Sequence, residues 1–589
     1  MRHRAAARWF AALSSLAVLA ALMTGAASAQ SPTGDSDRYL VVAKNAADYG
    51  GLRDTAVRHG ARVVNDIQKV NTMVVTAAPA ARDTIAADGR TAAVARDHVV
   101  SFSPPEQRGR PTAAGRSSRQ DAKVTRESLV RAQRTRRGID PDPGLDYKGL
   151  QWDFGRVGLP KGWDRTAGSP EVSVGVADTG LDFTHSELRN KVVKVINFHD
   201  TACFDVTGVS DADLAAELGG PEDGDWNGHG SWIGGNIAAE LDGQGINGIA
   251  PKVGLVALKI SDWCGSAYDS TLIEAFTRAA DEGVDVVSIS FGGYLDRTDP
   301  EQETIYQQYL AAVEYARSKG TIIAASAGNE HVELGANGQV VSNGQLTLPG
   351  DPLDDLHGLW ELPGGVPQVV NVSATGNVVN ASSESCPPGT AGDAENTNAT
   401  CKPASDPHQS PGTGKQDQLS YYSNYGAGID LAAPGGARKF NLPVWDRGGT
   451  PGFPYTGDDL TNVWEDFSIT SNWATQIPCF VFTTGSDFPQ NECYTSIQGT
   501  SMAAPHVSAA LALLASARAD LRGRPGRLLR TLKEGARGAH NTTTALDPAD
   551  TSGGDLTGGS CPTGYCHLGG ASISDRAAYG AGIVQVPQP

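Results

Sequence analysis

Cysteine is missing from the first 202 residues of this chain, and the eight that follow (203, 264, 386, 401, 479, 493, 561 and 566) contain no Cys-x-x-Cys pair. That spacing argues against a zinc site. Basic residues are scarce after residue 138. Residues 1–138 hold 22 Lys and Arg against 11 Asp and Glu, a net charge of +11, which leaves −29 on the rest of a chain whose total is −18. Phosphates would be repelled by that acidic remainder, which argues against nucleic acid as its partner. Past residue 25 no apolar run is long enough to cross a membrane. The strongest, VSAALALLAS at 507–516, is broken by Ser and Ala and sits among globular patterns. EF-hand spacing is absent as well.

What is present divides the chain into pieces. Residues 1–8 are basic, 11–25 are apolar, and Ala27-Ser28-Ala29 is a small-x-small cleavage site, so 1–29 reads as a signal peptide and the protein as secreted, without a stable membrane anchor. In an exported chain an even cysteine count reads as disulfides. Proximity pairs 386 with 401, 479 with 493 and 561 with 566, leaving 203 with 264. Residues 30–105 form a second piece. Strands are predicted over 38–44, within 61–77 and over 94–102, and helices over 46–59 and 80–87; the order βαββαβ is that of a small α+β, ferredoxin-like unit. The piece 106–148 is a basic, polar linker carrying Arg at 108, 110, 116, 119, 126, 131, 134, 136 and 137.

From 149 to 589 apolar runs alternate with helical patterns. Strands are predicted at 172–177, 254–260, 284–289, 321–325, 369–372 and 429–432, with helices at 271–282 and 305–318. This is the pattern of a doubly wound α/β domain, a mostly parallel sheet flanked by helices. Such sheets place their sites beyond the carboxyl ends of the strands. There the chain sets Asp178, after VSVGVA; His229, in Asn227-Gly-His-Gly-Ser231 at the start of a small-residue helix; Asn329, in Ser326-Ala-Gly-Asn-Glu330; and Ser501, in Gly499-Thr-Ser-Met-Ala-Ala-Pro505.

A serine in the first turn of an apolar helix has an ordinary use as an N-cap. It has another as a nucleophile, if a histidine takes its proton, a carboxylate holds the histidine's tautomer and an amide stabilises the oxyanion. The chain offers all four groups in the order Asp, His, Asn, Ser. An esterase of the α/β-hydrolase type would need G-x-S-x-G and the order Ser, Asp, His, neither of which occurs at Ser501. A non-catalytic peptide-binding protein with the same cleft is the alternative from another class.

The segments VSVGVADTGLDFTH (172–185), NGHGSWIGGNIAA (227–239), AASAGNE (324–330) and GTSMAAPHVSAALALL (499–514) together resemble the signature blocks of subtilisin-like serine peptidases. Weaker blocks at 423–435 and 579–584 agree, and 38–102 resembles the family's inhibitory propeptide. The resemblance implies that Asp178 orients the histidine, His229 is the base, Ser501 the nucleophile and Asn329 the oxyanion donor. It further implies that Ser290, Phe291 and Gly292 pair with the substrate backbone, and that Ser326, Ala327 and Gly328 wall the first specificity pocket. Protein or peptide substrates, inhibition by the chain's own propeptide, self-cleavage between Gln107 and Lys148, and a monomer are expected. No cofactor is needed for the chemistry, while structural Ca²⁺ is implied somewhere; the acidic run 211–225 is one candidate and a solvated loop its ordinary reading. His185 reads as a surface or hydrogen-bonded histidine and His506 as packed within its helix. Departures are Ala177 before the aspartate and Ser231-Trp232 after the histidine. Long inserts at about 331–365, 380–415 and 437–495 are expected as surface loops near the cleft.

Overall fold

Valine-rich runs bounded by polar turns bury both faces of a sheet, and the chain covers those faces with helices from either side of each strand. The computed structural model describes residues 37–101, 151–243, 245–342, 356–377, 416–437, 468–476, 493–546 and 568–589. The expected signal peptide, the basic stretch 106–148, the insert 380–415 and the three bridges 386–401, 479–493 and 561–566 lie outside the described residues. Cys203 and Cys264 are joined in a disulfide.

The N-terminal unit runs β1 (Asp37–Ala43), α1 (Ala46–Arg58), β2 (Arg62–Ile67), β3 (Thr72–Ala77), α2 (Pro79–Ala86) and β4 (Thr91–Arg96). Its antiparallel sheet has the order β2-β3-β1-β4. Asn45 starts α1 by accepting from the Ala47 and Asp48 amides, and Pro79 starts α2 where its missing N–H costs nothing. Alternation then sorts the strands. Tyr39, Val41, Met73 and Val75 face Leu52, Ala56 and Ile85, while Leu40 and Val74 join the core of the larger domain. The strand expected over 94–102 is broken at Asp97-His98. Asp97 turns its carboxylate to the Ser270 amide, and β5 (Val99–Ser101) leaves the sheet.

The large sheet contains β6 (Ser173–Asp178), β7 (Val192–Asn197), β8 (Gly254–Lys259), β10 (Val286–Ile289), β12 (Ile322–Ser326), β14 (Val370–Asn377), β15 (Gln416–Leu419) and β16 (Leu431–Pro434). The path is β15-β14-β12-β10-β6-β8-β7, with β16 also beside β14; every pairing is parallel except that of β15. The order reverses at β6, so a crevice opens beyond its carboxyl end, between β6 and β10. The helices are α3 (His229–Ala238), α4 (Asp269–Asp281), α5 (Pro300–Lys319) and α6 (Thr500–Ala517). Val174, Val176, Val286 and Ala324 pack with Trp232, Ile233, Val507 and Leu511 of α3 and α6. Their strand neighbours Ala177, Val287, Ile289 and Ala325 pack with Phe276 and Tyr309 of α4 and α5. Helix α6 alone among the described helices is long and apolar enough to cross a membrane, and it is buried in this core.

Parts of two inserts, 331–365 and 437–495, are strands and not surface loops. β13 (Trp360–Leu362) pairs antiparallel with β11 (Gly293–Leu295). β17 (Ile469–Trp473) pairs with β18 (Cys493–Ile497), and β17 is buried. Gly235 of α3 lies so close to this hairpin that an added Cβ would meet Asn472 Oδ1 at 1.7 Å. Apolar side chains within these Gly- and Asn-rich stretches found a face of the domain to cover.

Candidate active site

Asp178 is the last residue of β6 and His229 the first of α3, and both side chains are buried. His229 Nδ1 lies 2.8 Å from Asp178 Oδ1, an atom that also accepts from the Thr179 amide at 2.8 Å. A carboxylate at this distance selects the tautomer with the proton on Nδ1, which makes Nε2 the acceptor. Two further features hold the pair. Asp225 Oδ1 accepts from the Gly228 amide and from Thr179 Oγ1, Asp225 Oδ2 accepts from the Ser231 amide, and Thr179 Oγ1 accepts from the Gly230 amide. Gly230 permits the approach, since a Cβ there would sit 2.1 Å from Gly180 O.

Ser501 is the second residue of α6, which packs directly on α3. The N-cap position belongs to Gly499, and no side chain caps the helix, so Ser501 has no capping role. Its amide and hydroxyl lie in the first turn, where the helix presents positive partial charge. Asn329 follows β12. Its Oδ1 accepts from the Thr500 amide and the Thr500 hydroxyl, each at 2.9 Å, which turns the Nδ2 donor end away from Thr500. Ser290 Oγ donates to Ser501 O at 3.2 Å.

One cavity adjoins these groups and is lined by Ser290, Gly292, Ser326, Gly328, Asn329 and Ser501, so six of the expected site residues meet there. Phe291 and Ala327 do not line it; both are buried in apolar clusters, Phe291 with Val100 and Leu295, Ala327 with Val332 and Leu334. Residues 98–101 of the N-terminal unit also line it. β5 is antiparallel to β9 (Ser266–Tyr268) on one side, and Ser101 bridges Gly292 antiparallel on the other. An extended segment thus lies as a middle strand between two edges of the cleft.

The remaining sequence candidates are accounted for by packing. His185 is buried, not on the surface; its Nδ1 accepts from the Glu187 amide and its ring meets Tyr494 edge-on. His506 lies between Met502 O at 2.8 Å and Asp153 Oδ2 at 2.9 Å. The acidic run is a short helix followed by a turn, and its acids divide: Asp213, Glu217, Glu222 and Asp223 are exposed, Asp211 and Asp225 buried. Asp211 is buried on Lys259 Nζ at 2.6 Å, Asp213 accepts from the amide and hydroxyl of the N-cap Ser210, and Asp225 accepts backbone amides. Burial pushes the Asp211 carboxyl above its usual range, against the pull of Lys259. Their oxygens are engaged by N–H and O–H donors, and no group of three His, Cys, Asp or Glu among the described residues is placed to hold a metal. The unusual Ser231-Trp232 pair is accommodated: Ser231 Oγ accepts from the Asp182 amide, and Trp232 is buried with its indole N–H on Thr495 O.

Sequence reasoning missed Thr500, Asp225, Tyr294 and Glu361. Thr500 and Asp225 stand inside or beside the quoted motifs, and the orphan amides of a helix start were the available signal. Tyr294 and Glu361 gave none, because antiparallel pairing of two short strands brings them together.

A family model described as the subtilase family matches residues 169–549. The chain is 33% identical over 184 residues to a thermophilic serine proteinase of Bacillus sp. (strain AK1), covering 31% of this chain and 39% of that protein. It is 32% identical over 184 residues to thermitase of Thermoactinomyces vulgaris, covering 31% and 56%. The matched region therefore spans between about two fifths and just over half of these relatives' lengths. Among solved structures, the epidermin leader peptide processing serine protease of Staphylococcus aureus superposes with a TM-score of 0.53 at 16% identity, over 94% of this chain and 97% of that one, a likeness of fold.

Proposed function

This chain belongs to the subtilase family of serine peptidases, and we propose that it is a secreted endopeptidase made as a self-processing precursor. The observation that carries the catalytic reading is the buried 2.8 Å contact of His229 Nδ1 with Asp178, at the start of a helix packed on the one that carries Ser501 in its first turn. Ser501 Oγ attacks the scissile carbonyl while His229 Nε2 takes its proton; Asp178 stabilises the imidazolium. The Ser501 amide and Asn329 Nδ2 hold the oxyanion. His229 returns the proton to the leaving amine, and water hydrolyses the acyl-enzyme by the reverse path.

The placement of β5 supports the precursor reading. Residues 30–105 act as an inhibitor whose last strand fills the substrate channel, and the monomer cuts its own chain between Gln107 and Lys148. Residues 1–29 direct export. Expression of the full chain with its Ser501→Ala counterpart tests this, with intact mass and N-terminal sequence read on protein from the medium. The wild type is expected to begin between 108 and 148 and to digest peptides, and the variant to keep the N-terminal unit. A wild-type chain that retains residues 37–101 covalently and cuts nothing sinks the reading.

A further inference from the structure

We propose that the cavity beside Ser501 selects a basic side chain, arginine or lysine, in the residue preceding the scissile bond, and that Glu330 and Glu361 are the groups that select it. The inference rests on the peptidase reading above and names its substrate class.

Glu330 and Glu361 line the same cavity as Ser501 and Asn329. They are only 7% and 3% exposed. Tyr294 ties them together: it lies directly across from Glu361 in the β11–β13 pair, and its hydroxyl donates to Glu330 Oε2 at 2.6 Å. Glu330 Oε2 also accepts from the Asn329 amide at 2.8 Å, so the acidic wall is built onto the residue assigned to the oxyanion. Gly328 shows how close that wall stands to the backbone lining. A Cβ there would lie 2.7 Å from Glu330 Oε2 and 3.1 Å from the Tyr294 hydroxyl, and its φ is +97°.

Neutral donors alone hold Glu361. Its Oε1 accepts from the Gly364 amide and its Oε2 from Asn371 Nδ2, each at 3.1 Å. No Lys or Arg among the described residues forms an ion pair with it. Burial and the neighbouring Glu330 push its carboxyl well above the usual range. A third acid on the cavity, Asp269, is fully buried and leaves Oδ2 without a hydrogen-bond partner among the described residues. A leucine or phenylalanine side chain filling this space would strip water from the carboxylates and return nothing. A guanidinium or ammonium brings donors to these acid oxygens, and its positive charge draws the raised Glu361 carboxyl back to its ionised form. The chain carries such a substrate itself: the linker expected to be cut holds nine arginines between 108 and 137.

The test compares kcat/KM of the full chain, after it has processed itself, on fluorogenic peptides that differ only in Arg, Lys, Leu, Phe or Glu before the bond. Fluorophosphonate labelling counts active sites independently of that side chain. Arg or Lys is expected to exceed Leu and Phe by at least about 100-fold, and Glu361→Gln or Glu330→Gln to lower the Arg/Leu ratio at least about tenfold in enzyme that still labels. The new N-terminus is expected to follow Arg or Lys. Enzyme that labels but prefers Leu or Phe, or whose ratio survives the double substitution, overturns the pocket assignment and leaves the peptidase reading standing. Absence of labelling in folded wild-type protein overturns both. If the variants fail to fold, the wild-type preference and the site of self-cleavage decide alone.

Discussion

Asn329 is anchored through Oδ1, which accepts from the Thr500 amide and hydroxyl, and its Nδ2 is the donor proposed for the oxyanion. Replacement by Leu keeps the shape and removes the donor, so kcat is expected to fall about 10²–10³-fold with KM nearly unchanged. A rise in KM instead would place Asn329 in ground-state binding. A second residue makes a pH-dependent claim. Burial, with Asp97 nearby, pushes the Asp269 carboxyl up to about 8, although Tyr309 donates to it at 2.6 Å. The folded chain keeps this proton while the unfolded chain loses it above its ordinary value of 3.8. Stability is therefore present in full below pH ~4 and declines as pH rises towards ~8. Asp269→Asn retains the acceptor for Tyr309 and removes the decline. Melts in a Ser501→Ala background should show the variant above wild type by at least about 2 °C at pH 8, with the two curves converging near pH 4. Asp178, His229, Asn329 and Ser501 were legible one by one because each is a polar residue at a strand end or helix start among small neighbours. Glu361 was not, since ELPGG reads as a loop until Tyr294 is placed across from it.

Element α3 is positioned by what its glycines leave out. Gly230 lets the helix start press against Gly180, and Gly235 lets its body rest on β17. Gly230→Ala must move α3 or the turn after β6, which shifts His229 from Asp178. A stability loss of about 1–3 kcal/mol and a larger fractional loss of kcat are expected from melts and single-turnover kinetics. Retained kcat in a destabilised protein would show that the pair adjusts together. The parallel strands were legible as continuous apolar runs, with ends displaced by a residue or two. Helix α5 starts at Pro300, five residues before its apolar pattern, because Asp299 accepts from the Glu301 and Gln302 amides. The β17–β18 hairpin was illegible. Its two short strands are separated by residues 474–492, too long a stretch for a hairpin turn to be read between them. The break between β4 and β5 was hidden for another reason: Asp97 bends the chain only because the Ser270 amide and Arg38 wait for it in three dimensions.

At the scale of the whole molecule the N-terminal unit is docked through its sheet face and a few polar anchors. Asp97 accepts from the Ser270 amide and hydroxyl, Arg38 Nη2 donates to Ser270 Oγ at 3.1 Å, Thr72 donates to Gln308 at 2.7 Å, and Arg82 reaches Glu301 at 2.8 Å. Asp97→Ala leaves the largely buried Arg38 without its carboxylate and the first turn of α4 without its acceptor. The lag before peptide hydrolysis begins is expected to shorten several-fold, as the severed unit leaves sooner. An unchanged lag would assign the docking to the apolar sheet face alone. The division into a small basic-leaning piece and a large acidic one was visible in charge and pattern; that the small piece threads β5 through the cleft was not, because pairing with β9 is a property of neither strand alone. The central claim remains that Ser501 is an activated nucleophile. Its most direct test is fluorophosphonate labelling of the folded chain freed of its N-terminal unit, with the adduct mapped by mass spectrometry beside Ser501→Ala and Asp178→Asn. The account predicts one adduct, on Ser501, absent from the first variant and strongly slowed in the second. Folded, unblocked protein that takes no adduct on Ser501 would contradict it.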